Sequence, residues 1–332
     1  MRAVPSHPVR APTAATHAMI LTPSTKPTMI FIGVTTGQSS INRIFPEWAR
    51  TLELGDCALR GLDFPLHDEP ARYREAVAFI KQDPMTRGAL VTTHKIDLCA
   101  AAHDLIDVID PLSSDLGEIS SLWKREGQLH GRTVDPWTSG LSLDAFLPPD
   151  HWRQTGAEVL ILGAGGSAIA LAWHLCRPHP AGNRPSRIHV ANRSRPRLDH
   201  LRSLHSQWPD AVPLSCHHVP TPEMADTLAS QLPPGSLIVN ATGLGKDAPG
   251  SPLTHAAVFP EHSLIWDFNY RGNLVFLDQA RAQQSARSLH IEDGWTYFIH
   301  GWTQVIADVF HKTIPSHGPL FNELSRLAAT AR

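Results

Sequence analysis

With 332 residues, 42% of them apolar and 18% charged, the chain is too long for one ordinary core and has the composition of a globular protein with two. A formal net charge of -2 gives no electrostatic reason to expect nucleic acid or an anionic membrane as partner, and leaves a small neutral or anionic ligand as the better fit. Cys57, Cys99, Cys176 and Cys216 form no Cys-x-x-Cys pair and the 20 histidines no helical ligand pattern, so neither a disulfide framework nor a metal site is expected, and a reducing cytoplasm is the simplest setting. No apolar run is long enough for a membrane span.

Residues 1–25 mix Ala, Pro, Ser, Thr, His and Arg without periodicity and are expected to be a disordered tail. Met29–Val34 (MIFIGV) has the form of a buried strand and opens the first domain. A helix-like stretch follows over Pro46–Leu54, then a strand within Cys57–Leu66. Ala71–Gln82 reads as a helix with Tyr73, Ala76, Val77 and Ile80 on its apolar face, and Gly88–Thr93 as a third strand. Beyond the Pro-rich stretch Leu147–Gly156, Glu158–Leu175 reads as strand, glycine turn and helix. Arg187–Ser194, Ser236–Gly245 and Ser263–Tyr270 each read as an apolar strand ending in polar or glycine residues. This alternation predicts an α/β fold, and in a doubly wound sheet the carboxyl ends of the strands are where ligands bind.

One of those endings carries a recognisable turn. Gly163, Gly165 and Ala168 fit the dinucleotide fingerprint G-x-G-x-x-G/A, with Gly166 as an extra glycine, directly after a strand and opening a helix. Gly163 suits the tight turn, Gly165 the close approach of a pyrophosphate, and Ala168 close helix–strand packing, while free N–H groups at the helix start attract phosphate. A glycine turn without a ligand is the plainer alternative. The next strand ends in Asn192-Arg193-Ser194-Arg195-Pro196-Arg197, with no carboxylate before Asp199 to hold a ribose 2′-hydroxyl. Guanidinium groups there suit the 2′-phosphate of NADP over NAD, with a solvated basic loop as the alternative.

The segments GAGGSAIA (163–170), ANRSRPR (191–197), VNATGLG (239–245) and DFNY (267–270), in this order and spacing, resemble the cofactor half of shikimate dehydrogenases. The resemblance spans about residues 29 to 315. It implies an N-terminal α/β substrate-binding catalytic domain over 26–137 and a C-terminal Rossmann-type NADP-binding domain over 138–294. C-terminal helices over 295–332 would pack back on the first domain. The family's V-T-x-P-x-K and N-T-D segments match Val91-Thr92-Thr93-His94-Lys95 and Gly131-Arg132-Thr133-Val134-Asp135. By resemblance Lys95 exchanges a proton with the reacting oxygen, Asp135 holds and orients the substrate hydroxyl, and the nicotinamide carries the hydride. The resemblance further implies cofactor contacts from Gly163, Gly165, Gly166, Ser167, Ala168, Asn192, Arg193, Ser194, Arg197, Asn240, Thr242, Gly243 and Gly294. Substrate contacts are expected from Ser39, Ser40, Thr92, Ser120, Tyr270 and Gln304.

The chain departs from the family pattern chiefly in the substrate pocket. Ile41 stands where a second serine is usual, and Ser39 and Ser40 remain. Gly117-Glu118-Ile119-Ser120-Ser121 replaces G-A-V-N-T, and Thr133 replaces the asparagine of N-T-D. The segment before Lys95 is one residue short and lacks its proline. Gly301 takes the place of a glutamine, with Gln304 one turn further on. Altered polar positions change substrate choice by orders of magnitude. The expectation is therefore an NADP-dependent oxidoreductase interconverting a hydroxyl and a ketone on a cyclic polyol carboxylate, either shikimate/3-dehydroshikimate-like or, as an alternative, quinate or an amino analogue. A catalytically silent NADP(H) or metabolite sensor is the alternative from another class. The expected partner is a small molecule, with neither nucleic acid nor membrane, and the protein a monomer or homodimer.

Overall fold

Short apolar runs bounded by glycine or polar residues form the strands, and the most central of these are buried along their whole length, as parallel strands covered on both faces must be. The computed structural model describes residues 21–178, 182–246 and 248–332. The first sheet and its helices comprise β1 (Thr28–Gly33), α1 (Ile41–Thr51), β2 (Ala58–Asp63), α2 (Pro70–Gln82), β3 (Thr86–Val91), α3 (Lys95–Ala102), β4 (Val108–Ile109), α4 (Pro111–Leu116), β5 (Ser121–Arg125) and β6 (Gln128–Arg132). Two helices, α5 (Asp135–Asp144) and α6 (His151–Thr155), lead to the second sheet. There follow β7 (Val159–Leu162), α7 (Gly166–Cys176), β8 (Ile188–Asn192), α8 (Arg195–His205), β9 (Leu214–His218), α9 (Pro222–Ser230), β10 (Leu237–Asn240), β11 (Leu264–Asp267), α10 (Val275–Arg281), α11 (Gln284–Arg287) and β12 (His290–Glu292). The chain ends in α12 (Trp295–Val309) and α13 (Pro319–Ala329).

The result is a two-domain α/β fold. The first sheet has the order β2-β1-β3-β5-β6-β4 and is mixed: β2, β1 and β3 run parallel, whereas β3 pairs antiparallel with β5 and β5 with β6. The second sheet, β12-β11-β10-β7-β8-β9, is parallel throughout. Its order reverses between β7 and β10, so the crevice of this doubly wound sheet opens at the carboxyl ends of those two strands.

Side chains alternate across each sheet into separate cores. Met29, Phe31 and Leu90 pack against Trp48 of α1, Trp302 and Val305 of α12 and Leu324 of α13, while Ile30, Ile32 and Val91 face Tyr73, Val77 and Ile80 of α2. In the second sheet Val159, Ile161 and Val239 meet Ile169 and Ala172 of α7, whereas Leu160, Ile238 and Ile265 meet Ala229 and Phe276. The C-terminal helices thus cover the first sheet although they follow the second.

Three expectations differ from the fold. The helix expected from Pro46 begins at Ile41, because Ile41, Ile44, Phe45, Trp48 and Ala49 form one buried stripe and the Ser40 carbonyl accepts the N–H groups of Arg43 and Ile44. Pro46 then lies inside the helix, near enough its start to forfeit only one hydrogen bond. The boundary expected between residues 137 and 138 falls within α5. Of the tail expected over 1–25, residues 1–20 lie outside the described residues. Within the remainder Leu21 packs on the core of Ile30, Tyr73 and Ile80, the Thr22 carbonyl accepts from Arg60, and Ser24 bonds to Asp83 and Thr86. Among the described residues no helix is long and apolar enough to cross a membrane.

Candidate active site

The strand β3 delivers its chain to a short turn that is pinned from below. Thr92 donates its hydroxyl to the Ile32 carbonyl, and its own carbonyl accepts the N–H of Lys95, the first residue of α3. His94, where the family pattern has no histidine, is buried and pairs its Nδ1 with the Tyr73 hydroxyl at 2.9 Å. Burial lowers the His94 pKa, so the imidazole serves as a neutral anchor in place of the missing proline. Lys95 is thereby aimed inward.

It meets Asp135, which opens α5, where the helix dipole favours a carboxylate. Lys95 Nζ donates to Asp135 Oδ2, and the two side chains are only 13% and 7% exposed. Ser167, in the first turn of α7, completes the cluster from the other domain: its Oγ lies 3.5 Å from Lys95 Nζ and 3.4 Å from Asp135 Oδ2. Burial pushes the Lys95 pKa down to about 8, opposed by the charge of Glu118 and assisted by that of Lys246.

This cluster forms part of a cleft of about 570 Å³ between the domains. Of the sequence-expected residues, Lys95, Asp135, Thr92, Ser120, Tyr270, Gly163, Gly165, Gly166, Ser167, Asn192, Arg193, Arg197, Thr242, Gly243 and Gly294 line it. Ser120 accepts the Val134 N–H at 2.8 Å, which leaves its hydroxyl proton for the cleft. Ser39 stands behind the wall, its Oγ 3.3 Å from the Tyr270 hydroxyl, and so joins the first domain to the second.

The glycine turn fits a pyrophosphate. Gly163 has φ 115, in the region that favours glycine, and a Cβ there would lie 2.7 Å from the Ala241 carbonyl oxygen. A Cβ on Gly165 would meet nothing within 4 Å, so that face of the turn is open. The first bond of α7 runs from Ile169 N–H to the Gly165 carbonyl, and the N–H groups of a helix's first turn have no intrahelical partner. At the end of β8, Arg193 and Arg197 line the same cleft, and the Arg193 carbonyl pairs with His218 Nε2 at 3.1 Å.

Besides Ser39, five expected contacts lie away from the cleft surface. Asn240 is wholly buried: its Oδ1 accepts from the Thr242 N–H and hydroxyl, and its Nδ2 donates to Asp267, so it shapes the loop rather than reaching the cleft. Gln304 turns away and donates to the Ile314 carbonyl at 3.3 Å, leaving Gly301 at the cleft surface. Ser40 precedes α1, Ser194 precedes α8, and Ala168 is in the core beneath the turn, where its small side chain lets α7 approach the sheet.

Other residues at the site were not singled out from sequence. Lys246 lines the cleft, Tyr297 brings a buried hydroxyl to the base of it, and Glu118 buries a carboxylate beneath it. Asp267 lies under the loops, its pKa pushed up to about 7 by burial although the Asn269 N–H and the Asn240 amide bond to it. Of these, Glu118, flanking an expected pocket residue, and Asp267, opening the DFNY segment, carried a signal in the sequence. Among the described residues no group of three or more His, Cys, Asp or Glu is placed to hold a metal ion.

No family model matches the chain. A shikimate dehydrogenase (NADP+) of Symbiobacterium thermophilum is 29% identical over 204 residues, 61% of this chain and 64% of that protein, so the match spans less than two thirds of that relative's length. One from Afipia carboxidovorans is 26% identical over 280 residues, 83% of this chain and 88% of that one. Among solved structures, the Thermus thermophilus shikimate 5-dehydrogenase in complex with NADP(H) and shikimate has a TM-score of 0.65 at 22% identity, covering 92% of this chain and 99% of that one. The ligand-free 5-ketofructose reductase of a Gluconobacter species has a TM-score of 0.65 at 17% identity, covering 92% and 98%. In sequence and in its two-domain fold, this chain is similar to the shikimate dehydrogenases.

Proposed function

We propose that the chain is an NADP-dependent alcohol dehydrogenase that interconverts a hydroxyl and a ketone on a cyclic polyol carboxylate of the shikimate/3-dehydroshikimate kind. The observation that carries this reading is the Lys95–Asp135 pair in the inter-domain cleft, in touch with the first turn of α7 through Ser167. The relatives named as NADP(+)-dependent shikimate dehydrogenases support the choice of cofactor and substrate class.

When bound, the nicotinamide supplies or takes up the hydride. In the reducing direction the Lys95 ammonium donates a proton to the carbonyl oxygen as alkoxide character develops. In the oxidising direction its neutral amine accepts the proton of the hydroxyl. A pKa of about 8 keeps both forms of Lys95 within reach near neutrality. Asp135 fixes the direction of Nζ and accepts a hydrogen bond from the reacting hydroxyl. The hydroxyls of Thr92, Ser120 and Tyr270 offer partners to a polyol ring, and Lys246 adds a positive charge suited to a carboxylate. Arg193 and Arg197 would hold the 2′-phosphate, the Gly163–Gly166 turn the pyrophosphate.

The test is NADPH formation with shikimate, quinate and amino analogues. Turnover is expected with at least one, reduced roughly 100- to 10,000-fold in Lys95→Ala while NADP still binds. Undiminished turnover in that variant would refute the chemistry. Tight NADP binding without turnover on any ring acid would instead indicate a sensor.

A further inference from the structure

Beneath the candidate active site lies a charge that the proposed chemistry does not use. Glu118 directly follows Gly117, whose φ of 65 closes α4, and it is 0% exposed. Its Oε1 accepts the Thr133 hydroxyl, whereas its Oε2 is buried without a partner. A Cβ built on Gly166 would lie 2.2 Å from that Oε2 and 3.8 Å from Cδ of Lys95. The carboxylate and the lysine stem therefore converge on one point under the first turn of α7. A buried carboxylate oxygen without a hydrogen bond is costly unless a cation lies close by.

We infer that Glu118 is a positioning residue, a buried counter-charge that, from beneath Gly166, keeps Lys95 in its ammonium form and aimed at Asp135. Its bearing on turnover rests on the dehydrogenase reading above; its bearing on Lys95 does not. Glu118 opposes the effect of burial on Lys95, in keeping with that placement. The groups that face Lys95 are Asp135 on α5, Glu118 after α4, Lys246 after β10 and the Ser167 hydroxyl on α7. Those that face Glu118 are Lys95 and Cys99 on α3, Thr133 after β6 and Tyr297 on α12. Among these described residues Lys95 carries the positive charge.

The experiment reads the protonation of Lys95 without substrate. The full chain is carbamylated with cyanate across a pH series, and the modification of Lys95 is followed by mass spectrometry. Replacing Glu118 with glutamine is expected to shift the midpoint to lower pH by about one unit. Glu118→Asp, which keeps the charge, should restore most of it. A merely structural contact would alter the melting temperature and leave the midpoint in place. An unmoved midpoint in folded Glu118→Gln overturns the inference. Should that variant not fold, Thr133→Val, which removes the hydrogen bond that holds the carboxylate in place so that its charge is no longer fixed beneath Lys95, should shift the midpoint in the same direction by less, and no shift there overturns it equally. A shifted midpoint in a protein that oxidises no ring acid would refute the dehydrogenase reading and leave this inference standing.

Discussion

Neighbouring glycines in the turn between β7 and α7 answer to different constraints, and substitution separates them. Gly165 has an extended backbone that any residue adopts, and a Cβ there meets no atom within 4 Å. Gly165→Ala should therefore fold with stability changed by less than about 0.5 kcal/mol. Its methyl group would stand where the pyrophosphate approaches the backbone, so NADP affinity should fall by about tenfold or more. Gly166→Ala, by contrast, drives a methyl into Glu118 Oε2 and should cost about 1–3 kcal/mol of stability. Thermal melts and NADP titrations of the two variants should give opposite patterns, and equal loss of affinity with equal loss of stability would refute the distinction. At the end of β8, Arg193→Ala should weaken NADP far more than NAD, and equal weakening of both would mean that the arginine only supports its loop. The placement of the glycines and the arginines at the cleft was legible in the sequence because each group directly follows the end of a strand. The inward course of Glu118 was not, since it depends on Thr133 and on a helix of the other domain.

Among the elements, α12 shows how far the resemblance carries. It implied a helix here and a pocket contact from Gln304, whereas Gly301 lines the cleft and Gln304 turns to Ile314. The strands β1, β3, β7, β10 and β11 were readable because each is a short apolar run buried on both faces. The start of α1 was not, because proline usually marks a helix's first turn and here lies inside it. On the far side of α12, His300 is 3% exposed, stacks on Phe321 of α13 at 4.5 Å, and has Nδ1 without a partner. Burial lowers its pKa from 6.5 to about 4, so between these values the unfolded chain binds more protons than the native protein. The titration of this histidine therefore costs no stability above about pH 6.5, and its destabilising effect grows as pH falls through the window toward 4. In His300→Phe the melting temperature should fall less steeply than in the parent between pH 6.5 and 4.5. A difference between the two that is constant over that range would rule out His300 as the titrating group.

At the scale of the molecule, the chain crosses to the second sheet and then returns, and that return ties the C-terminus to the domain that carries the Lys95–Asp135 pair. The helices α12 and α13 form one core with α1 and one face of the first sheet, in which Trp48 Nε1 donates to the Leu324 carbonyl at 2.8 Å and Leu324 and Ala328 are wholly buried. Arg43 of α1 likewise donates to the Ala331 carbonyl. From the second sheet's domain Tyr270 packs against the edge of that core, while the sheet itself is packed by α5 to α10. Truncation after Gly318 removes the Leu324 and Ala328 side chains and leaves Trp48 uncovered, a loss of about 3–5 kcal/mol by the burial of such groups. Because the loss falls on one core, the shortened protein should unfold in two steps, the first domain before the second. Lys95 and Asp135 belong to the domain that loosens, whereas the glycine turn and both arginines belong to the one that does not. Turnover should thus disappear at a lower temperature than NADP binding, a separation absent from the full chain. If the truncated protein melts in a single step and loses binding with activity, the domains are coupled across the cleft more strongly than their separate cores imply.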